Sequence, residues 1–198
     1  MPLRQAASKM RELSLHLLDL LENACEAGAT EIRVHLEENT GEDTLELAVV
    51  DNGPGLPQGA HEQVFDPFFT SRRTRHVGLG LPLVKQLVEQ VGGSISLESE
   101  PGWTEVRLRV PRSHWDLPPL GDIAASLLAV LLREGAPRLI YDHVVDGRRF
   151  HFDTADLGAQ LAGLPPAHAS AAVRLREYLR AGIASLYTSQ RSTANESK

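Results

Sequence analysis

The sequence predicts a two-layer α+β sandwich, with helices on one face of a mixed sheet of four or more strands, over about residues 1–112. Three patterns carry that expectation. Two segments, near 13–28 and 80–91, place apolar residues at helical spacing. Segments near 30–37, 44–50, 94–98 and 104–110 alternate apolar and polar residues with the period of a strand buried on one face. Between them lie glycine-rich turns at 53–55 and 78–80.

In the first helix Leu13, Leu17, Leu20, Leu21, Ala24 and Cys25 share a broad apolar face, while Glu12, His16, Asp19, Asn23 and Glu26 form a polar stripe opposite, at alternating spacings of four and three. Gly28 ends it. Two strands follow, joined through Asn39, Gly41 and Asp43. The chain then turns through Asp51, Gly53, Pro54 and Gly55, where regular structure is forbidden and backbone can approach a ligand closely. Residues 58–77 lack clear periodicity but hold three of the five phenylalanines, Phe65, Phe68 and Phe69, a cluster suited either to a core or to pinning a lid. Gly78 and Gly80 open the second helix, with Pro82 in its tolerant first turn and Leu83, Val84, Leu87, Val88 and Val91 on one face. Two strands around Pro101 and Gly102 complete the unit.

Residues 113–120 read as a linker or docking segment, and Trp103 and Trp115, flanking this junction, are expected to bury it. Residues 121–188 read as a small helix–hairpin–helix–helix module: an apolar helix near 122–133, strands flanking the strong turn signal Asp146-Gly147, and helices at about 155–162 and 166–187. The last ten residues, 189–198, are polar and expected to be disordered.

Composition narrows the class. With 42% hydrophobic and 23% charged residues, and no apolar run near the roughly 18 residues of a membrane span, a globular protein with no membrane partner is expected. The opening residues lack the apolar stretch of a signal peptide, so a cytoplasmic location is expected. The single cysteine, Cys25, excludes a disulfide framework. A net charge of −6 argues against a nucleic-acid partner, although Arg72, Arg73 and Arg75 form a local basic patch that fits either one small anion or a solvated loop.

The polar stripe and the glycine turns suggest nucleotide chemistry. The helix start at Gly78–Gly80 is an anion site by its exposed N–H groups and helix dipole, although neither a P-loop nor a complete dinucleotide fingerprint is present. Phosphates bound there call for a divalent ion. Mg²⁺ takes hard oxygen ligands such as the Asn23 side-chain carbonyl, and Asp19, one turn earlier, is placed to hold or orient a water. Asp51 is suited to accept a hydrogen bond from an exocyclic amine such as that of adenine.

Asn23-Ala24, Asp51-x-Gly53-x-Gly55, Phe65-Asp66-Pro67-Phe68-Phe69-Thr70 and Gly78-Leu79-Gly80-Leu81, in this order, resemble the N, G1, F and G2 boxes of the GHKL superfamily, the ATP-binding fold of histidine kinases, Hsp90, type II topoisomerases and MutL. The resemblance covers about residues 10–112 and implies ATP and Mg²⁺ as ligands and a lid at about 56–77. It assigns Mg²⁺ ligation to Asn23, the adenine amino group to Asp51, and close purine approach to Gly53 and Gly55. Phosphate contacts fall to Gly78, Leu79, Gly80, Thr70 and Arg72, and support of the adenine site to Thr104. Departures are informative. Glu26 stands where histidine kinases usually carry a basic residue, and the general-base position of the Hsp90 and MutL branch holds Asp19, one methylene shorter than Glu, so any hydrolysis is expected to be slow. His76-Val77 replaces the usual Gly-Thr before the G2 box. The residues ahead of Leu13 are too few for a phosphoacceptor hairpin, and His16 reads as a helix-face residue rather than a phosphorylation site. His114, His143 and His151 lack metal spacing and read as structural. The functional expectation is a bacterial Mg-ATP-binding regulatory protein signalling through its C-terminal module or to a protein partner, either a redox enzyme or a signalling protein. A stand-alone histidine or serine kinase and a degenerate scaffold are the alternatives.

Overall fold

The computed structural model describes residues 12–57, 59–60, 63–66, 80–157 and 169–188. In chain order these form α1 (Leu13–Glu26), β1 (Glu31–Asn39), β2 (Thr44–Asp51), a 3₁₀ turn (Gln63–Phe65), α2 (Gly80–Gln90), β3 (Ser94–Glu100) and β4 (Trp103–Pro111). They continue with α3 (Ile123–Leu131), β5 (Arg138–Val145), β6 (Arg148–Asp153), a 3₁₀ turn (Thr154–Asp156) and α4 (Ala169–Ser185). The sheet has six strands in the order β3-β4-β2-β1-β5-β6. All neighbours are antiparallel except β1 and β5, which run parallel from Glu31↔Arg138 to Glu38↔Val145.

The two-layer sandwich is therefore present, and its sheet takes in two strands from beyond residue 112. The C-terminal hairpin does not fold on a sheet of its own: β5 hydrogen-bonds to β1 and extends the same sheet. Its turn matches the Asp-Gly signal, with positive φ at Asp146 and Gly147. The helices form one layer in which α1 lies between α2 and α3, and α4 packs on α3. One core runs beneath all four, from Leu17 and Leu21 of α1 through Val84 and Val88 of α2 to Leu127 of α3 and Leu175 and Leu179 of α4. Burying each such leucine fully contributes about 1.5–3 kcal/mol, so this shared apolar surface outweighs any single polar contact between the two halves.

Residues 113–121 dock onto α1. Glu12, at its N-cap, makes no side-chain capping bond. Instead the Leu13 and Ser14 N–H groups donate to the Pro119 and Leu120 carbonyls at 2.9 and 2.8 Å, and Ser126 Oγ donates to the Ser14 carbonyl at 2.6 Å. Trp115 does not bury the junction: it is 90% exposed. Leu117 and Leu120 pack against the core there, and Ser113 is held by Asp43, so the junction closes without the indole. Of the two helices expected after β6, the second is α4, and the first, at about 155–162, falls mostly on residues 158–168, which with 189–198 lie outside the described residues; a 3₁₀ turn at Thr154–Asp156 precedes them.

At the end of the helix-facing surface away from Asp51, a buried polar cluster fastens α4 to the sheet. Glu38 continues the buried series Ile32, Val34, Leu36 and is 3% exposed. It accepts from Arg112 Nε at 2.8 Å, from Tyr187 Oη, and from His143 Nε2 at 3.3 Å, while Tyr141 Oη and His143 Nδ1 meet at 2.9 Å. Burial pushes the Glu38 carboxyl up, but the hydrogen bonds from His143, Tyr187 and Arg112 outweigh it and bring it down to about 2 from an ordinary 4.5.

A buried carboxylate stripped of its cation costs about 3–5 kcal/mol, so Arg112→Ala is expected to lower the urea midpoint by the largest margin in this cluster. Because Glu38 is depressed, its stabilisation is complete above pH 4.5 and lost as pH falls toward 2. Melting temperatures of wild type and Glu38→Gln across that range check the sign: the wild type should lose stability on acidification and the variant should lose less.

Candidate nucleotide site

Three rows of side chains cross the helix-facing surface of β2, β4 and β3. Two are apolar: Leu47, Leu108 and Ile95, then Val49, Val106 and Leu97. The next is Asp51, Thr104 and Ser99, so the core ends in a carboxylate and two hydroxyls. Asp51 is half-buried; burial pushes its carboxyl up, opposed by the Gly53 N–H donating to Oδ1 at 2.8 Å. Its other oxygen has no hydrogen bond among the described residues. Thr104 sits directly across from it on β4.

The turn after Asp51 is held on both sides. Asn52 Oδ1 accepts from the Thr30 and Glu31 N–H groups at 2.8 and 2.9 Å, and the Leu56 N–H donates to Ser99 Oγ at 2.8 Å. A Cβ at Gly53 would lie 2.7 Å from Asp51 Oδ1, and one at Gly55, where φ is +78°, would overlap the Glu100 carbonyl. Gly55 is thus required by close approach to backbone and by its left-handed conformation, while at Gly53 a Cβ meets only the end of the Asp51 side chain.

The polar stripe of α1 divides by depth. Asp19 and Asn23 are half-buried against the first residue of α2: a Cβ on Gly80 would lie 3.0 Å from Asp19 Cβ and 3.6 Å from Asn23 Nδ2. The amide and carboxylate proposed for metal and water therefore meet the positive end of a helix, as phosphate binding needs. Among the described residues no cluster of three or more His, Cys, Asp or Glu could hold a metal. The donor set suits Mg²⁺ all the same, because that ion takes one or two protein oxygens and fills its shell with phosphates and water. His16, one turn before Asp19, is not a solvated helix-face residue. It is 4% exposed, its Nδ1 has no hydrogen-bond partner among the described residues, and burial lowers its pKa.

Thr70, Arg72, Gly78 and Leu79 lie outside the described residues, as do most of the expected lid and Arg75 and His76. Of the phenylalanine cluster, Phe65 is described, with Lys85 Nζ of α2 lying 5.2 Å from its ring centroid. Two groups escaped the sequence. Ser99 carries its signal in the alternation Ile95, Leu97, Ser99, where a hydroxyl replaces the third apolar residue. Glu38 likewise ends an apolar series, but nothing in the sequence pairs it with Arg112 or Tyr187.

A two-layer sandwich with an acid–glycine turn facing an asparagine-bearing helix defines a class of ATPase-type domains, and comparison supports it. The model of the family of histidine kinase-, DNA gyrase B- and HSP90-like ATPases matches residues 9–114, and the chain belongs to that family. It is 34% identical over 142 residues to the sensor histidine kinase AruS of Pseudomonas aeruginosa, covering 66% of this chain and 14% of AruS. To the C4-dicarboxylate transport sensor protein DctB of Rhizobium meliloti it is 38% identical over 113 residues, covering 55% of this chain and 18% of DctB. Among solved structures, the nucleotide-free catalytic domain of the histidine kinase ThkA aligns with a TM-score of 0.42 and 28% identity over 50% of this chain and 64% of that one. The chain thus spans only a small part of these sensor proteins. No helix among its described residues is long and apolar enough to cross a membrane.

Gly55→Ala combines backbone strain with overlap on the Glu100 carbonyl, whereas Gly59→Ala has φ of +83° and open space. Strain alone costs about 1–2 kcal/mol. Gly55→Ala is expected to exceed Gly59→Ala by a further 1–3 kcal/mol or so in urea unfolding, and equal losses would show that the turn is not packed on β3 and β4.

Proposed function

We propose that the chain binds Mg-ATP between α1, the Asp51–Gly55 turn and the start of α2, and that the bound state is read by residues 113–188 or by a protein partner. The observation that carries this reading is the meeting of Asn23 and Asp19 with Gly80 at the α2 N-terminus, together with the polar row of Asp51 and Thr104 that ends the core on β2 and β4. Asp51 accepts from the adenine amine. Asn23 Oδ1 would hold Mg²⁺, which when bound neutralises phosphate charge. Gly80 lets the helix end approach α1, with Gly78, Leu79, Thr70 and Arg72 proposed as the remaining phosphate contacts. Turnover, if it occurs, uses Asp19 as the base: its carboxylate takes a proton from water as the water oxygen bonds to the γ-phosphorus and ADP leaves with the broken P–O electron pair. A carboxylate one methylene short of the usual glutamate makes this slow.

The sensor histidine kinases among the relatives favour a second reading, phosphotransfer to an acceptor on a separate protein. The partner class, a signalling protein or a redox enzyme, and a cytoplasmic location belong to the proposal as well.

At a hundred times its dissociation constant Mg-ATP contributes about 2.7 kcal/mol, a rise of roughly 5–10 °C in Tm for a chain of this size. Wild type should show that rise and Asn23→Ala should lose most of it; no rise in wild type sinks the ATP reading. Asp19→Asn should keep the rise and lose phosphate release. If release persists, Asp19 is not the base. Transfer of label from γ-phosphate to a co-purified protein, in place of free phosphate, would select the kinase reading.

A further inference from the structure

We propose that Ser99 sets the purine specificity of this site by fixing the direction of the Thr104 hydroxyl, an inference that rests on the ATP reading above. Ser99 Oγ is 2.8 Å from the Leu56 nitrogen, 2.9 Å from Thr104 Oγ1 and 3.4 Å from the Trp103 carbonyl. A hydroxyl has one proton to donate and two positions at which to accept. The Leu56 N–H donates to Ser99 and fills one of those positions. We assign the Ser99 proton to Thr104 Oγ1, at 2.9 Å the partner of ordinary hydrogen-bond length, rather than to the Trp103 carbonyl at 3.4 Å. Thr104 accepts from Ser99 on one side and keeps its own proton for the other.

On that other side, directly across the strand pair, is Asp51. The row therefore presents an acceptor, the Asp51 carboxylate, beside a donor, the Thr104 O–H. The amino edge of adenine is the complement: an amine N–H beside a ring nitrogen that accepts. A purine with a carbonyl and a ring N–H on that edge opposes both groups, meeting acceptor with acceptor and donor with donor. Without Ser99 the Thr104 hydroxyl rotates freely and offers a lone pair as readily as its proton, so one of the two oppositions disappears. Ser99 also anchors the turn through Leu56, but anchoring supports every nucleotide equally. The relay discriminates between them. Ser99 is thus a positioning residue that acts through Thr104 and the turn.

The test compares ATP with inosine triphosphate, which differs from it only in carrying a carbonyl and a ring N–H on this edge. Dissociation constants for both are measured by calorimetry with Mg²⁺ on wild type, Ser99→Ala and Ser99→Thr, with thermal melts to establish folding. Wild type should prefer ATP. Ser99→Ala should narrow that preference by about tenfold, the scale of one neutral hydrogen bond, chiefly through tighter binding of inosine triphosphate, while Ser99→Thr keeps the hydroxyl and the preference. Equal weakening of both nucleotides in Ser99→Ala, or no preference in wild type, overturns the relay and leaves ATP binding intact. A wild type that binds neither nucleotide overturns the relay and the ATP reading together.

Discussion

The pairing of β1 with β5 is the constraint on which the rest depends. β1 spans Glu31–Asn39 and buries Ile32, Val34 and Leu36, so it lies deep in the core and cannot be left as an edge without exposing a long row of unpaired N–H and C=O groups. β2 satisfies one edge and β5 the other. Parallel pairing cannot be made by a tight turn, so the chain between β4 and β5 must cross the sheet, and α3 is the crossing element. Its placement sets α3 against α1, brings Pro119 and Leu120 to the first turn of α1, and leaves β5 with a free edge that β6 covers. Arg138 marks the start of the register: its N–H donates to the Thr30 carbonyl, and its guanidinium reaches Glu31 and Asp153.

What was legible in the sequence followed from local rules. The alternation in β1 to β4, the helical period around Leu17 and Val84, and the Asp146-Gly147 turn each depend on residues close in sequence, and each is where it was expected. The boxes singled out Gly55, held against the Glu100 carbonyl, and Gly80, held against Asp19 and Asn23, because close approach leaves a compositional trace. What was not legible depends on partners far apart. Glu38 reads as the start of the hairpin loop until Arg112, His143 and Tyr187 converge on it, and those three partners all lie beyond residue 111. The parallel pairing of β1 and β5 was invisible for the same reason: each strand's alternation is satisfied by any covered face, and nothing local names the neighbour. Trp115 failed in the opposite way, since large apolar residues are usually buried but nothing obliges each of them to be.

Polar groups mark both ends of the helix-facing surface, and they differ in kind. At the Asp51 end the row is half-buried, its hydroxyls are linked to a turn, and a carboxylate oxygen makes no bond among the described residues. At the Glu38 end the carboxylate is 3% exposed and accepts from three side chains. A saturated cluster rigidifies its surroundings, while an unsaturated one can exchange water for a ligand. The contrast separates the part of the surface that holds the fold from the part that can do chemistry.

The capping of α1 by Pro119 and Leu120 bears on how this family's domain can be handled in this chain. The family match ends at residue 114, and a fragment cut there would retain every box yet lose the carbonyls that receive the first two N–H groups of the helix carrying Asp19 and Asn23. It would also bare the edge of β1 and the leucines that α3 covers. The border that homology draws and the border at which the chain could be divided are different places. In this protein the family-matched part and the residues after it share one helix cap, one sheet and one core, so a recombinant fragment or a fusion junction belongs beyond α4.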